Sequence, residues 1–171
     1  MAIISNLPKS RVMWLGLLVL GLLLEGVALY YQYVLDQLPC VLCIHVRMLV
    51  FVLVLVSVLG LVFCRLPRMG GILVVVTTGI WAWMTERSYQ LLGTERGWII
   101  GECQMKSGLP DWLALEEWMP WLFRIHEPCG YTPFVLFRIT MAEILTVLSI
   151  LMLLFGISLS LAMAGRRLAT P

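Results

Sequence analysis

Residues 38–47 read LPCVLCIHVR, a Cys-x-x-Cys pair formed by Cys40 and Cys43 with Arg47 four residues beyond the second sulfur. The pair is wedged between two apolar runs. Val12 to Leu35 is broken by one charge, Glu25, and Ile44 to Phe63 carries one, Arg47, near its start. A bilayer core needs roughly 20 apolar residues per helix, with a range of about 17–25, and both runs meet it. Two more blocks follow downstream. Gly70 to Met84 is short but can continue through Glu86 and Arg87 into the interface, and Phe134 to Met163 carries Arg138 and Glu143 early.

The 171 residues are 61% hydrophobic and 13% charged, far from the soluble average. Continuous apolar runs of this length present no polar face to water, which argues against four soluble core helices. The first run is too long for the apolar core of a cleaved signal peptide, so it is expected to stay in the membrane. The sequence therefore predicts an all-α integral membrane protein, one four-helix domain over 1–171. Its spans are expected near 12–35, 44–63, 70–88 and 137–163, with connecting loops at 36–43 and 89–136. A net charge of +2 and the lack of a basic run interleaved with aromatics give no support to a nucleic-acid partner.

Four spans place both termini on one side. Lys9 and Arg11 precede the first span, Arg65 and Arg68 sit between the second and third, and Arg166 and Arg167 follow the fourth. The positive-inside rule makes these segments cytoplasmic. The loops carrying Cys40, Cys43, Cys103 and Cys129 then face the outer side, where disulfides persist, and Cys64 alone faces the reducing side as a bland buried or interfacial thiol. The stretch DWLALEEWMPWLF, 111–123, has apolar residues at Trp112, Leu115, Met119 and Leu122 with acids between them. This pattern predicts a short amphipathic helix at headgroup level, bent by Pro120.

Four outer cysteines support several chemistries. A helix N-terminus beginning at Cys43 favours the thiolate, and Arg47 shares its helix face, so Cys43 is the sulfur expected to ionise. Alone, Arg47 could be a snorkelling side chain; its spacing to Cys43 argues for a role at the pair. A permanent Cys103–Cys129 bridge closing a loop of about 27 residues would stabilise by roughly 3–4 kcal/mol on chain entropy. Such a staple leaves the second, short-loop pair unexplained, whereas two pairs on one side suit serial thiol–disulfide exchange. Zinc fits the spacing poorly, no metal is expected, and His45 and His126 are read as interfacial or solvated. Glu25 admits two readings, a proton relay or a hydrogen-bonded link to a neighbouring helix, the latter favoured; Gln32 raises the same question.

LPCVLCIHVR, the glutamate in LLLEGVALYYQ (22–32) and GECQMKSGLPDWLALEEWMPWLFRIHEPC (101–129) together resemble the disulfide bond formation protein B family. The resemblance covers most of the chain, to about Cys129. It implies a bacterial inner-membrane bundle with periplasmic cysteines, which reoxidises a soluble, DsbA-like thioredoxin-fold oxidase and passes the electrons to a quinone, ubiquinone or menaquinone. By the same resemblance Cys103 is attacked by the soluble partner, Cys129 is its bonded mate, Cys40 and Cys43 resolve the mixed disulfide, and Cys43 with Arg47 meets the quinone. The stretch YTPFVLFRITMAEIL (131–145) departs from the family pattern, as does the His-Val pair before Arg47, and no role is assigned to Arg138 or Glu143. Two other readings stay open: a structural membrane protein with a stapled loop, and an enzyme of the vitamin K epoxide reductase type. Lability of a cysteine pair separates the first from a redox relay, and the order of the pairs argues against the second.

Overall fold

The computed structural model describes residue 7, residues 10–99, 118–123, 134–136 and 139–169. Cys103, Cys129, His126, Arg138 and the 111–117 part of the expected amphipathic helix lie outside these residues. Four long helices dominate: α1 (Arg11–Tyr33), α2 (Val41–Phe63), α3 (Pro67–Glu95) and, at the end, α5 (Met141–Ala169). All four are long and apolar enough to cross a membrane. Among the described residues between α3 and α5 are a helical turn, α4 (Pro120–Phe123), and an antiparallel ladder of β1 (Phe134–Leu136) and β2 (Ile139–Thr140). The chain is an all-α, four-helix membrane protein.

Local chemistry sets the helix ends. Cys40, in extended conformation after Pro39, is the N-cap of α2, and its sulfur accepts the Cys43 N–H. The helix therefore starts beside the first sulfur rather than at the second, and Cys43 sits within its first turn. Pro67 opens α3, where its missing N–H leaves no intrahelical bond unmade. That helix runs to Glu95, well past the expected end near 88, because Glu86, Arg87 and Gln90 hydrogen-bond one another at helical spacing. It stops at Gly97, whose φ of +74° suits a residue without Cβ. There the Gly97 N–H donates to the Thr94 carbonyl and the Trp98 N–H to the Gly93 carbonyl, a Schellman closure.

The last helix begins at Met141, not near 137, because Thr140 and Glu143 form a capping box. The Glu143 N–H donates to Thr140 Oγ1 at 3.4 Å, and the Thr140 N–H donates to Glu143 Oε2 at 3.2 Å. Glu143 also pairs with Arg96 at the end of α3, which ties the two helix termini together. The residues just before this cap, rich in β-branched and aromatic side chains, form the β1–β2 ladder instead of a first helical turn.

Packing follows membrane rules. Helix α3 lies along α5, α1 along α2, and α2 against α3. Trp14, Leu53, Val74, Met84 and Leu159 are buried in the shared core, while Leu22, Val62, Val75, Leu151 and Leu161 stand exposed on the outside. Exposed apolar surface on all four helices is what a lipid solvent requires. With lipid outside, helix association depends on close approach at small residues. Gly60 faces the Trp14 ring, and Gly156 faces Thr78. Several hydroxyls inside the spans are satisfied locally, Ser57 donating to the Leu53 carbonyl and Thr77 to Leu73. Thr146 bridges its own helix, through Ala142, to the Ser88 carbonyl of α3.

Candidate functional site

The C-terminal ends of α1 and α3 and the N-terminal ends of α2 and α5 meet at one end of the bundle, and the Cys-x-x-Cys pair is there. Cys40 is buried against Leu91 of α3 and Ala142 of α5. Cys43 is half-buried, and its sulfur lies 2.7 Å from that of Cys40. This places the pair within a small movement of the roughly 2.05 Å disulfide separation. Cys64 is fully buried at the opposite end of α2, donating to the Leu61 carbonyl.

Beside the pair lies a cavity of about 310 Å³ between α1, α2 and α5, with Leu91 of α3 in its wall. Most of the lining is aliphatic. Among the described residues its polar groups are few: Glu25 and Tyr31 of α1, Gln37 of the following loop, and Cys43 and Arg47 of α2. Volume and lining match the small-molecule pockets of proteins, which are apolar with a handful of orienting groups and run from about 300 to 1,000 Å³. Cys43 and Arg47 reach it together because residues four apart share a helix face.

Arg47 does not snorkel. Its side chain is 5% exposed, and one terminal nitrogen, Nη1, donates to Gln32 Oε1 at 2.6 Å and to the Leu122 carbonyl at 2.8 Å. Its Nε lies 3.8 Å from Glu25 Oε2, an ion pair without a hydrogen bond. The neighbouring Trp121 carbonyl accepts from Tyr33 Oη at 2.5 Å and from Gln32 Nε2 at 3.4 Å. Arg47, Gln32 and Tyr33 thus hold the α4 turn against the bundle, with Leu122 buried beneath it and Trp118 and Trp121 exposed. An isolated four-residue turn has no stability of its own; these side-chain bonds to its carbonyls fix it.

Of the residues singled out in the sequence, the structure brings Cys40, Cys43, Arg47, Glu25 and Gln32 to this one end. His45 stands on α2 outside the cavity lining. Among the described residues no three His, Cys, Asp or Glu side chains converge as a metal site would need. Tyr33 and the Leu122 and Trp121 carbonyls were not legible in the sequence. A backbone acceptor carries no side-chain signal, and its partners here lie 75 and 88 positions away.

A membrane-spanning helical bundle with a close cysteine pair at one end, set beside an apolar cavity, is the architecture of a membrane thiol–disulfide oxidoreductase. The family model for Disulfide bond formation protein DsbB matches residues 10–159. Disulfide bond formation protein B 2 of Pseudomonas aeruginosa is 32% identical over 141 residues, covering 78% of this chain and 80% of that one. The Shewanella loihica protein of the same name, Disulfide bond formation protein B, is 29% identical over 145 residues, with 84% of each chain covered. A Vibrio vulnificus relative is 26% identical over 155 residues and 86% of each chain. The chain belongs to the DsbB family: it is a multi-pass membrane protein of disulfide bond formation, a disulfide-forming oxidoreductase.

Proposed function

We propose that this protein reoxidises a soluble thioredoxin-fold dithiol oxidase of the DsbA kind and transfers the electrons through two cysteine pairs to a membrane quinone. It would do so as a single domain in the bacterial inner membrane, with both termini cytoplasmic and Cys40, Cys43, Cys103 and Cys129 periplasmic. The observation that carries the reading is the apolar cavity that joins Cys43 and Arg47 beside Cys40. A quinone supplies one thing to such a site, a lipid-soluble acceptor of two electrons and two protons.

The residues divide the work by position. Cys103, the sulfur attacked by the partner's thiolate, forms the mixed disulfide, and Cys129 leaves as the displaced thiol. The Cys40–Cys43 disulfide then exchanges with the outer pair and becomes the reduced dithiol at the bundle end, while the Cys103–Cys129 bond is restored and the partner leaves carrying its own disulfide. Cys43 lines the cavity and Cys40 does not, which supports Cys43 as the sulfur that meets the acceptor. The N-terminal turn of α2 and the Arg47 guanidinium both present positive charge on the side of the helix where that sulfur stands. Arg47, fixed by Gln32 and the Leu122 carbonyl, would hold a polar oxygen of the acceptor, while the aliphatic walls take its apolar body and exclude water. A soluble disulfide could not serve as final acceptor for a strongly oxidising carrier, because each 30 mV of unfavourable potential costs about 1.4 kcal/mol for two electrons.

The test mixes the purified protein with a reduced thioredoxin-fold dithiol and a short-chain ubiquinone or menaquinone, and follows quinone absorbance. Consumption that requires Cys40, Cys43, Cys103 and Cys129 but not Cys64 is the expected result. Absence of consumption with every competent dithiol would reject the relay and leave the outer cysteines as staples.

A further inference from the structure

The relay just described leaves one buried titratable group without a task. Glu25 stands on α1 in the cavity wall, its side chain 12% exposed. Neither of its carboxylate oxygens has a hydrogen-bond partner among the described residues, and its ion-pair partner, Arg47 Nε, is 3.8 Å away. A carboxyl kept in a membrane bundle for structure normally donates or accepts a hydrogen bond across helices. Glu25 makes none among these residues, so the interhelical link favoured by the sequence leaves both oxygens unexplained.

Resting on the proposed function, we infer that Glu25 is the proton-transfer carboxyl of this cavity, taking the proton that Cys43 releases and delivering it to an oxygen of the bound quinone-class acceptor. The balance is closed. As Cys40 and Cys43 become a disulfide, two S–H bonds break, one S–S bond forms, and two electrons and two protons leave. The acceptor takes both electrons and both protons, so the problem is transfer inside an apolar space rather than net supply. Of the other polar groups in the wall, Gln37 does not titrate and Arg47 is committed to Gln32 and the Leu122 carbonyl. The lining from α3 and α5 is entirely apolar. Glu25 is the one carboxyl among the described lining residues, the kind of group suited to accept and release a proton there.

Full-length protein in detergent micelles, with a short-chain ubiquinone as probe, provides the test. Three quantities are read: quinone affinity by tryptophan quenching, oxidation of the Cys40–Cys43 dithiol by rapid thiol trapping, and mixed-disulfide formation with a thioredoxin-fold dithiol. For Glu25→Gln the dithiol oxidation rate falls about 100-fold, within the usual range for losing a general acid–base group, while affinity stays within about threefold and mixed-disulfide formation is unchanged. Glu25→Ala loses the same step and regains part of it as formate is added, and Glu25→Asp retains most of it. Wild-type oxidation rates in Glu25→Gln would overturn the inference while leaving the relay standing. So would a loss of quinone affinity as large as the loss of rate, since that describes a residue that holds rather than protonates. A wild-type protein that does not oxidise its own pair with quinone overturns the relay and this inference together.

Discussion

Replacing Arg47 with Met keeps the apolar stem and removes the guanidinium, so the cost reports on polar contacts alone. Two hydrogen bonds are lost, at 2.6 Å to Gln32 and 2.8 Å to the Leu122 carbonyl, with an ion pair at 3.8 Å to Glu25. Hydrogen bonds from a charged donor contribute about 1.5–3 kcal/mol each, so losing both should destabilise Arg47→Met by about 3–6 kcal/mol, the long ion pair adding little. Because the Glu25 contact lacks a hydrogen bond, most of that loss belongs to Gln32 and Leu122. Glu25→Gln alone should cost under about 1.5 kcal/mol. Equilibrium unfolding in mixed SDS micelles, read by tryptophan fluorescence, measures both. Protease accessibility of 118–123 should rise in Arg47→Met and not in Glu25→Gln. An Arg47→Met cost below about 1 kcal/mol, or a Glu25→Gln cost equal to it, would refute this division of the network.

Thiol trapping during turnover should separate the cysteines: Cys43→Ala stops quinone reduction, Cys103→Ala stops exchange with the soluble dithiol, and Cys64→Ala changes neither. Full turnover by Cys43→Ala would reject the proposed route. Glu143→Ala removes half of a capping box and should lower stability measurably in the same unfolding assay. Glu143→Gln, which keeps the acceptor, should lose much less than Glu143→Ala, since its pairing with the half-exposed Arg96 is a surface ion pair. Gly60→Ala drives a methyl into the Trp14 ring and should destabilise by about 1–3 kcal/mol. Gly16→Ala, where an added Cβ meets nothing within 4 Å, should be neutral or stabilise by about 0.5–1 kcal/mol. The same unfolding assay ranks both, and an equal response would undo the packing argument.

The four spans were legible because lipid demands long apolar runs and nothing else in a chain this short imitates them. The start of α2 was legible only approximately: Pro39 and the cysteine spacing marked a boundary, but which sulfur caps the helix depends on backbone angles that composition does not encode. Thr140-Met-Ala-Glu143 is a capping box written openly in the sequence, yet it lies inside an apolar block that reads as continuous span. Glu143 consequently had no assigned role until its bonds to Thr140 and Arg96 appeared. Arg47 and Cys43 could be paired from their four-residue spacing. The convergence of Glu25, Gln32, Tyr33 and two carbonyls on the same place arises from tertiary packing of segments far apart in the chain, and local pattern has no access to it.

The anchoring of α4 bears on how the proposed relay joins its two cysteine pairs. Thiol–disulfide exchange requires sulfur against sulfur, so the outer pair must come to the bundle end where Cys40 is buried. Leu122 is bonded there through its carbonyl to Arg47. Cys129 follows Leu122 by seven residues, a chain length that can span at most about 25 Å, whereas the nineteen residues from Cys103 to Leu122 can span about 65 Å. The two sulfurs of the outer pair are therefore tethered unequally. In the proposed relay a partner bound at Cys103 would be on the longer tether and Cys129 on the shorter one, within about 25 Å of chain from Leu122. That asymmetry agrees with the division of roles proposed for the two sulfurs. Under that proposal Arg47 would have a second duty, since the guanidinium that edges the cavity also bonds the Leu122 carbonyl from which the tether to Cys129 is counted.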